Sequence, residues 1–180
     1  MNRYIFSVGI LMLFSLSSLG AQDIQPQDVK RDMKRVADWQ MENFDNMLPF
    51  TGKETHHQLD WTNGALYVGM VKWAAMAGEE KYYLWLKSIG EENHWTLHRR
   101  KYHADDHTVG QMYLELYRKY GDEAMITPTR EQFDFIRYHP SQSTMHWKSP
   151  FHQDRWNWCD ALFMSPPVWA KLTRITGEQA

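Results

Sequence analysis

The sequence predicts an all-α fold assembled from helical hairpins, and three observations carry that reading. Apolar residues recur three or four positions apart through most of the chain, glycines fall where those runs stop, and Val, Ile and Thr never alternate long enough to argue for a sheet. A first helix is predicted over Asp28 to Asn46, where Met33, Val36, Ala37, Trp39, Met41 and Phe44 keep helical spacing. Leu48-Pro49-Phe50-Thr51-Gly52 breaks it. Asp60-Trp61-Thr62-Asn63 offers capping residues for a second, strongly apolar helix from about Gly64 to Ala77, and Gly78 stands in the usual stop position. Glu79 to Ser88 reads as a third helix, and Gly90 to Tyr102 as a loop with short helical content. Asp106 to Tyr120 reads as a fourth helix closed by Gly121, and Pro128 sits near the start of a fifth, about Arg130 to Tyr138. A polar, Ser- and His-rich stretch from His139 to Arg155 leads into a last helix around Asp160 to Thr176, followed by Gly177.

Three of these segments share one layout: a polar or acidic start, an apolar helix with small residues near its beginning, and a glycine next to an acid at its end. They begin at Trp61, Asp105 and Trp158 and stop at Gly78, Gly121 and Gly177. Their spacing of about 45 to 55 residues is the period of stacked or circular arrays of supersecondary units, the unit being a helical hairpin. Gly64, Gly69 and Gly110 each cost a helix up to ~1 kcal/mol, and with Ala161 they predict close helix packing around a common centre. In such a ring the N-terminal ends of the inner helices surround one opening, and the aspartates fall there.

Residues 1–21 read as a secretory signal peptide: basic Arg3, an apolar run from Tyr4 to Leu16, then the small residues Ser17 to Ala21. The run is shorter than the roughly 20 residues of a membrane span. Cleavage after Gly20 puts Ser18 and Gly20 at the two small positions, whereas cleavage after Ala21 puts Leu19 at the outer one. The expectation is an exported protein, periplasmic or secreted, with no membrane partner once the signal is removed. Its only cysteine, Cys159, excludes an intramolecular disulfide, so residues 22–180 form a domain held by its core. Aromatic residues make up 14% of the chain, enough both for a core and for stacking on sugar rings. Twenty basic and 22 acidic residues are well mixed, leaving no basic stripe to hold nucleic acid.

The residues able to do chemistry are chiefly acidic. Asp160 follows Trp156 and Trp158 at a helix start, where an aspartate either caps backbone N–H groups or, beside indoles, serves as a general acid. Asp105 and Asp106 open the fourth helix, one able to cap while the other faces the opening. Two carboxylates brought together from separate helices suit sugar chemistry, one donating a proton and the other positioning water. His56, His57, His98, His103, His107, His139, His146 and His152 form no compact ligand set, so neither a metal nor another cofactor is expected. No nucleophile elbow is present either. Arg155 and Lys148 are the cations nearest Asp160 in sequence, available to an acidic sugar.

The segments Trp61-Thr62-Asn63-Gly64-Ala65-Leu66, His103-Ala104-Asp105-Asp106-His107 with Gly110-Gln111-Met112-Tyr113, and Trp156-Asn157-Trp158-Cys159-Asp160-Ala161-Leu162-Phe163-Met164 resemble the unsaturated rhamnogalacturonyl hydrolases of glycoside hydrolase family 105. These are relatives of the unsaturated glucuronyl hydrolases of family 88. The resemblance runs from about Val29 to Gly177 and implies an (α/α)6 toroid of six hairpins, of which this chain would supply about the first half. It further implies pectin degradation: removal of Δ4,5-unsaturated uronyl residues from lyase-generated oligosaccharides by hydration of the vinyl ether bond. Carried over by motif, Asp160 matches the general acid/base and one of Asp105 and Asp106 the second site aspartate, Asp105 being preferred. His146 matches a substrate-contacting histidine, with His152 as competitor. Asp106, His107, Trp156, Trp158 and Arg155 complete the expected substrate-binding set. Because family members are longer, a homodimer completing the ring is one expected partner, besides the oligosaccharide. The rival readings are a carbohydrate-binding or scaffold protein without catalysis, and an inactive fragment.

Overall fold

In the computed structural model, which describes residues 23–53 and 55–178, every regular element is helical, and no strand occurs among the described residues. The signal peptide expected over residues 1–21 lies outside them, and no described helix is long and apolar enough to cross a membrane. In chain order the helices are α1 (Pro26–Asn43), α2 (Leu48–Thr51), α3 (Trp61–Ala77), α4 (Glu80–Glu92), α5 (Ala104–His107), α6 (Gly110–Tyr120), α7 (Thr127–Tyr138), α8 (Ala161–Met164) and α9 (Pro166–Thr176). Two 3-10 turns, Glu123–Met125 and His152–Arg155, lie between them.

Burial ranks the helices. α1 starts on Pro26, with Asp28 in its first turn complementing the helix dipole, and fully buries only Ala37, so it is an edge helix. α3 buries Tyr67, Val68, Met70, Val71, Trp73 and Ala74 on several sides and packs against α1, α4, α5 and α6. α6 buries an unbroken run from Gly110 to Leu114 and joins α3 and α4 to α9. Tyr67, Tyr82, Tyr113 and Phe133 are wholly enclosed. Trp95 meets Tyr113 edge-on at 5.2 Å, and Phe133 stacks on Trp169 at 4.1 Å, so much of the aromatic content is core.

Close approach explains two of the early glycines. A Cβ on Gly64 would sit 2.9 Å from Thr108 Cβ, and one on Gly110 would sit 2.9 Å from Val168 Cγ1. Gly69 departs from the expectation: nothing approaches it, because it faces an open apolar groove between α1 and α3 lined by Val29, Met33, Val36 and Met70. The stop glycines Gly78, Gly121 and Gly177 all adopt positive φ.

Two predicted helices are broken. The fourth divides at Thr108, whose hydroxyl donates to the Asp105 carbonyl at 2.7 Å while its N–H reaches the same oxygen, tightening the chain into a three-residue turn. The last divides at Ser165, because Pro166 and Pro167 have no N–H to continue the ladder. The loop predicted from Gly90 is shorter, since α4 runs on to Glu92, and the predicted break after Met47 forms a single turn, α2, closed by Gly52.

Candidate functional site

Two of these breaks face each other. The start of α5 and the residues leading into α8 enclose a narrow cleft, with a cavity volume of about 10 Å³, lined by His103, Ala104, Asp105, Gln153, Trp156, Asn157, Trp158, Asp160 and Ala161. Asp105 and Asp160, far apart in sequence, thus share one wall-to-wall space. Beneath it Ala104, Ala161 and Met164 form a small apolar cluster against Trp156, so Ala161 is small because α5 and α8 touch.

The acidic pair of α5 divides its work. Asp106 is 1% exposed: its Oδ2 accepts the Arg100 backbone N–H at 2.6 Å and its Oδ1 accepts Arg100 Nε at 3.0 Å and Nη2 at 2.5 Å. A carboxylate so enclosed holds the segment before α5 in place and cannot touch a ligand, which corrects its expected substrate contact. Asp105 points to the cleft. Burial pushes its carboxyl above the usual aspartate range, Asp160 and Asp106 add to that push, and His103 and Arg100 oppose it. Neither aspartate caps the helix, because His103 does: its side chain accepts the Asp105 backbone N–H.

His107 is a second correction. It is fully buried, with Nδ1 2.6 Å from Ser165 Oγ and Nε2 2.8 Å from the Lys101 carbonyl, and it packs edge-on against Phe133 and Trp156. Burial lowers its pKa to about 4, against the opposing pull of the Lys101 carbonyl and Asp106, so it is a neutral tie between α5 and α9 rather than a substrate contact.

Asp160 stands at the N-cap of α8 but makes no side-chain capping bond and is exposed. The capping alternative is therefore not used, and the carboxyl is free toward the cleft. Of its two tryptophans, Trp156 turns inward in a left-handed conformation and donates Nε1–H to the Tyr102 carbonyl at 2.8 Å. Trp158 stays at the rim, 56% exposed. Arg155, His146 and His152 lie off the cleft lining. Arg155 donates to the Ser141 carbonyl, His152 Nδ1 bonds the Ser149 carbonyl, and His146 lies beside Trp147 on the exposed loop. No local sequence pattern marks Gln153 or Arg100, and Asn157 stands out only as a member of the Trp156–Met164 segment. Among the described residues no group of three or more His, Cys, Asp or Glu is placed to hold a metal ion.

Comparison with known proteins gives a consistent set of matches. The family model of Glycosyl Hydrolase Family 88 matches residues 32–180. An unsaturated 3S-rhamnoglycuronyl hydrolase of Alteromonas sp. (strain LOR) is 31% identical over 176 residues, covering 89% of this chain and 42% of that protein. A protein of the same name from Formosa agariphila is 28% identical over 127 residues, covering 66% of this chain and 33% of its own length. The chain thus spans less than half the length of these curated relatives.

Proposed function

The chain belongs to Glycosyl Hydrolase Family 88, and from that membership we propose that it acts, as part of a glycoside hydrolase, on Δ4,5-unsaturated uronyl residues of lyase-generated oligosaccharides. The observation that carries the proposal is the pair Asp105 and Asp160 lining one cleft with an exposed indole, Trp158, at its rim. Asp160 protonates C4 of the vinyl ether while the ring oxygen stabilises the positive charge that develops at C5. Water then adds at C5 and returns its proton to the Asp160 carboxylate. The C5 hemiketal opens to a ketone, and the hemiacetal left at C1 expels the neighbouring sugar. No displacement at the anomeric carbon occurs, so the separation rule for paired glycosidase carboxylates does not govern this site. Asp105, whose carboxyl burial raises above the usual aspartate range, hydrogen-bonds a sugar hydroxyl.

The names of both relatives favour rhamnose in the substrate, whereas the family 105 motifs favour pectic fragments. Export through the N-terminal segment and pairing with a second copy belong to the same proposal. The test is loss of the alkene's ultraviolet absorbance on rhamnose-linked unsaturated oligosaccharides, for the native protein and for Asp160→Asn. Abolished turnover with an unchanged circular dichroism spectrum is expected. Undiminished turnover would refute the assignment, and saturable binding without turnover in the native protein would favour a carbohydrate-binding role.

A further inference from the structure

Asp105 owes its setting to a histidine that the proposed chemistry does not use. His103 is 7% exposed; its Nδ1 accepts the Asp105 backbone N–H at 3.3 Å and lies 3.6 Å from Asp105 Oδ2. Its Nε2 is 2.8 Å from Gln153 Oε1. A ring nitrogen that accepts from a backbone N–H carries a lone pair, so in this bonding pattern the ring's single proton sits on Nε2, donated to Gln153. We propose that His103, locked in this tautomer by Gln153, is a positioning residue for Asp105: neutral, it fixes the Asp105 main chain, and protonated, it becomes the cation facing Oδ2.

The two states differ in one proton. When Nδ1 takes up a proton it can no longer accept the Asp105 N–H, and its new N–H points toward Asp105 Oδ2. A charged ring in that position favours the ionised form of Asp105. The remaining charges around Asp105 are Arg100, which favours the carboxylate, and Asp160 and Asp106, which favour the acid. His107, also near His103, stays neutral. Gln153 belongs to the 3-10 turn that ends the His139–Arg155 loop, so one hydrogen bond transmits the position of that loop to Asp105.

The inference rests on reading Asp105 as a site carboxyl, and its test needs no substrate. The carboxyl carbon of Asp105, assigned with Asp105→Asn, is followed by NMR titration in the full chain. His103→Asn keeps a strong N-cap acceptor but removes the group that takes up the proton. The midpoint assigned to Asp105 should be higher in His103→Asn than in the native chain, by about half a pH unit or more. Superimposable curves would reduce His103 to a helix cap and overturn the proposal. Should His103→Asn not fold, Gln153→Ala carries the test: it leaves the cap in place and frees Nε2, so a moved midpoint supports the proposal and an unmoved one overturns it. Turnover retained in Asp160→Asn would sink the hydrolase reading and leave this titration interpretable.

Discussion

The two walls of the cleft are built on opposite plans. The Asp105 wall is a buried polar lattice: Asp106 clamps Arg100, His107 ties Lys101 to Ser165, and Thr108 bonds back to the Asp105 carbonyl. The Asp160 wall is a short helix carrying Leu162 and Phe163 at 73% and 45% exposure, entered through the exposed Trp158. It is attached at a few points, notably the hydrogen bond from Gln111 Nε2 to the Phe163 carbonyl. Burial on the first wall perturbs a carboxyl and fixes its direction; exposure on the second leaves a carboxyl and an indole open to a ligand. A cleft of this kind separates the holding of geometry from exposure to solvent.

That contrast is breakable in order of expected effect. Arg100→Ala should cost about 3 to 4 kcal/mol in denaturant unfolding, because it strands the Asp106 carboxylate. The lower end of the usual range applies, since the Arg100 side chain is itself 44% exposed. His107 predicts a pH effect on the same wall. Its folded pKa of about 4 lies below the ordinary histidine value of 6.5, so the fold binds fewer protons than the unfolded chain. The stability it contributes is complete above 6.5 and declines as pH falls toward 4, by roughly 3 kcal/mol. His107→Gln should flatten that acid limb in thermal melts at stepped pH. Gly64→Val should cost about 1–3 kcal/mol by pushing α3 away from Thr108, measured the same way. Trp158→Ala should alter stability by no more than about 0.5 kcal/mol while weakening oligosaccharide binding in calorimetry. A large loss of stability in Trp158→Ala would erase the distinction between the walls.

The helices were legible because their causes are local. Gly78, Gly121 and Gly177 stop helices through a backbone conformation that glycine adopts freely, and the apolar spacing of α3 reflects its own burial. The division at Ser165 was also written in the sequence, in Pro166 and Pro167, whereas the division at Thr108 depends on a hydroxyl turning back to the main chain. The cleft was legible through its two aspartates and their tryptophans. Its supports were not: a histidine is an uncommon cap, and the partners of His103 and His107 lie 50 and 58 residues away. Of the two roles read into the aromatics, the core role holds for Trp95 and Tyr113, and stacking on a sugar ring is proposed for Trp158 at the rim.

The bonds that join the walls have a consequence for the order of assembly. His103 to Gln153, Trp156 to Tyr102 and Gln111 to Phe163 close loops of 50, 54 and 52 residues. Such contacts must overcome the entropy of closing a long segment, while the local turns of α3 to α6 need not wait for them. The chain therefore gains its helices early and its acidic cleft late, when α8 and α9 dock onto a block already formed. A destabilised docking step would leave a folded, helical protein without a site, silent in far-ultraviolet dichroism and visible only as lost protection of the α8 amides from hydrogen exchange.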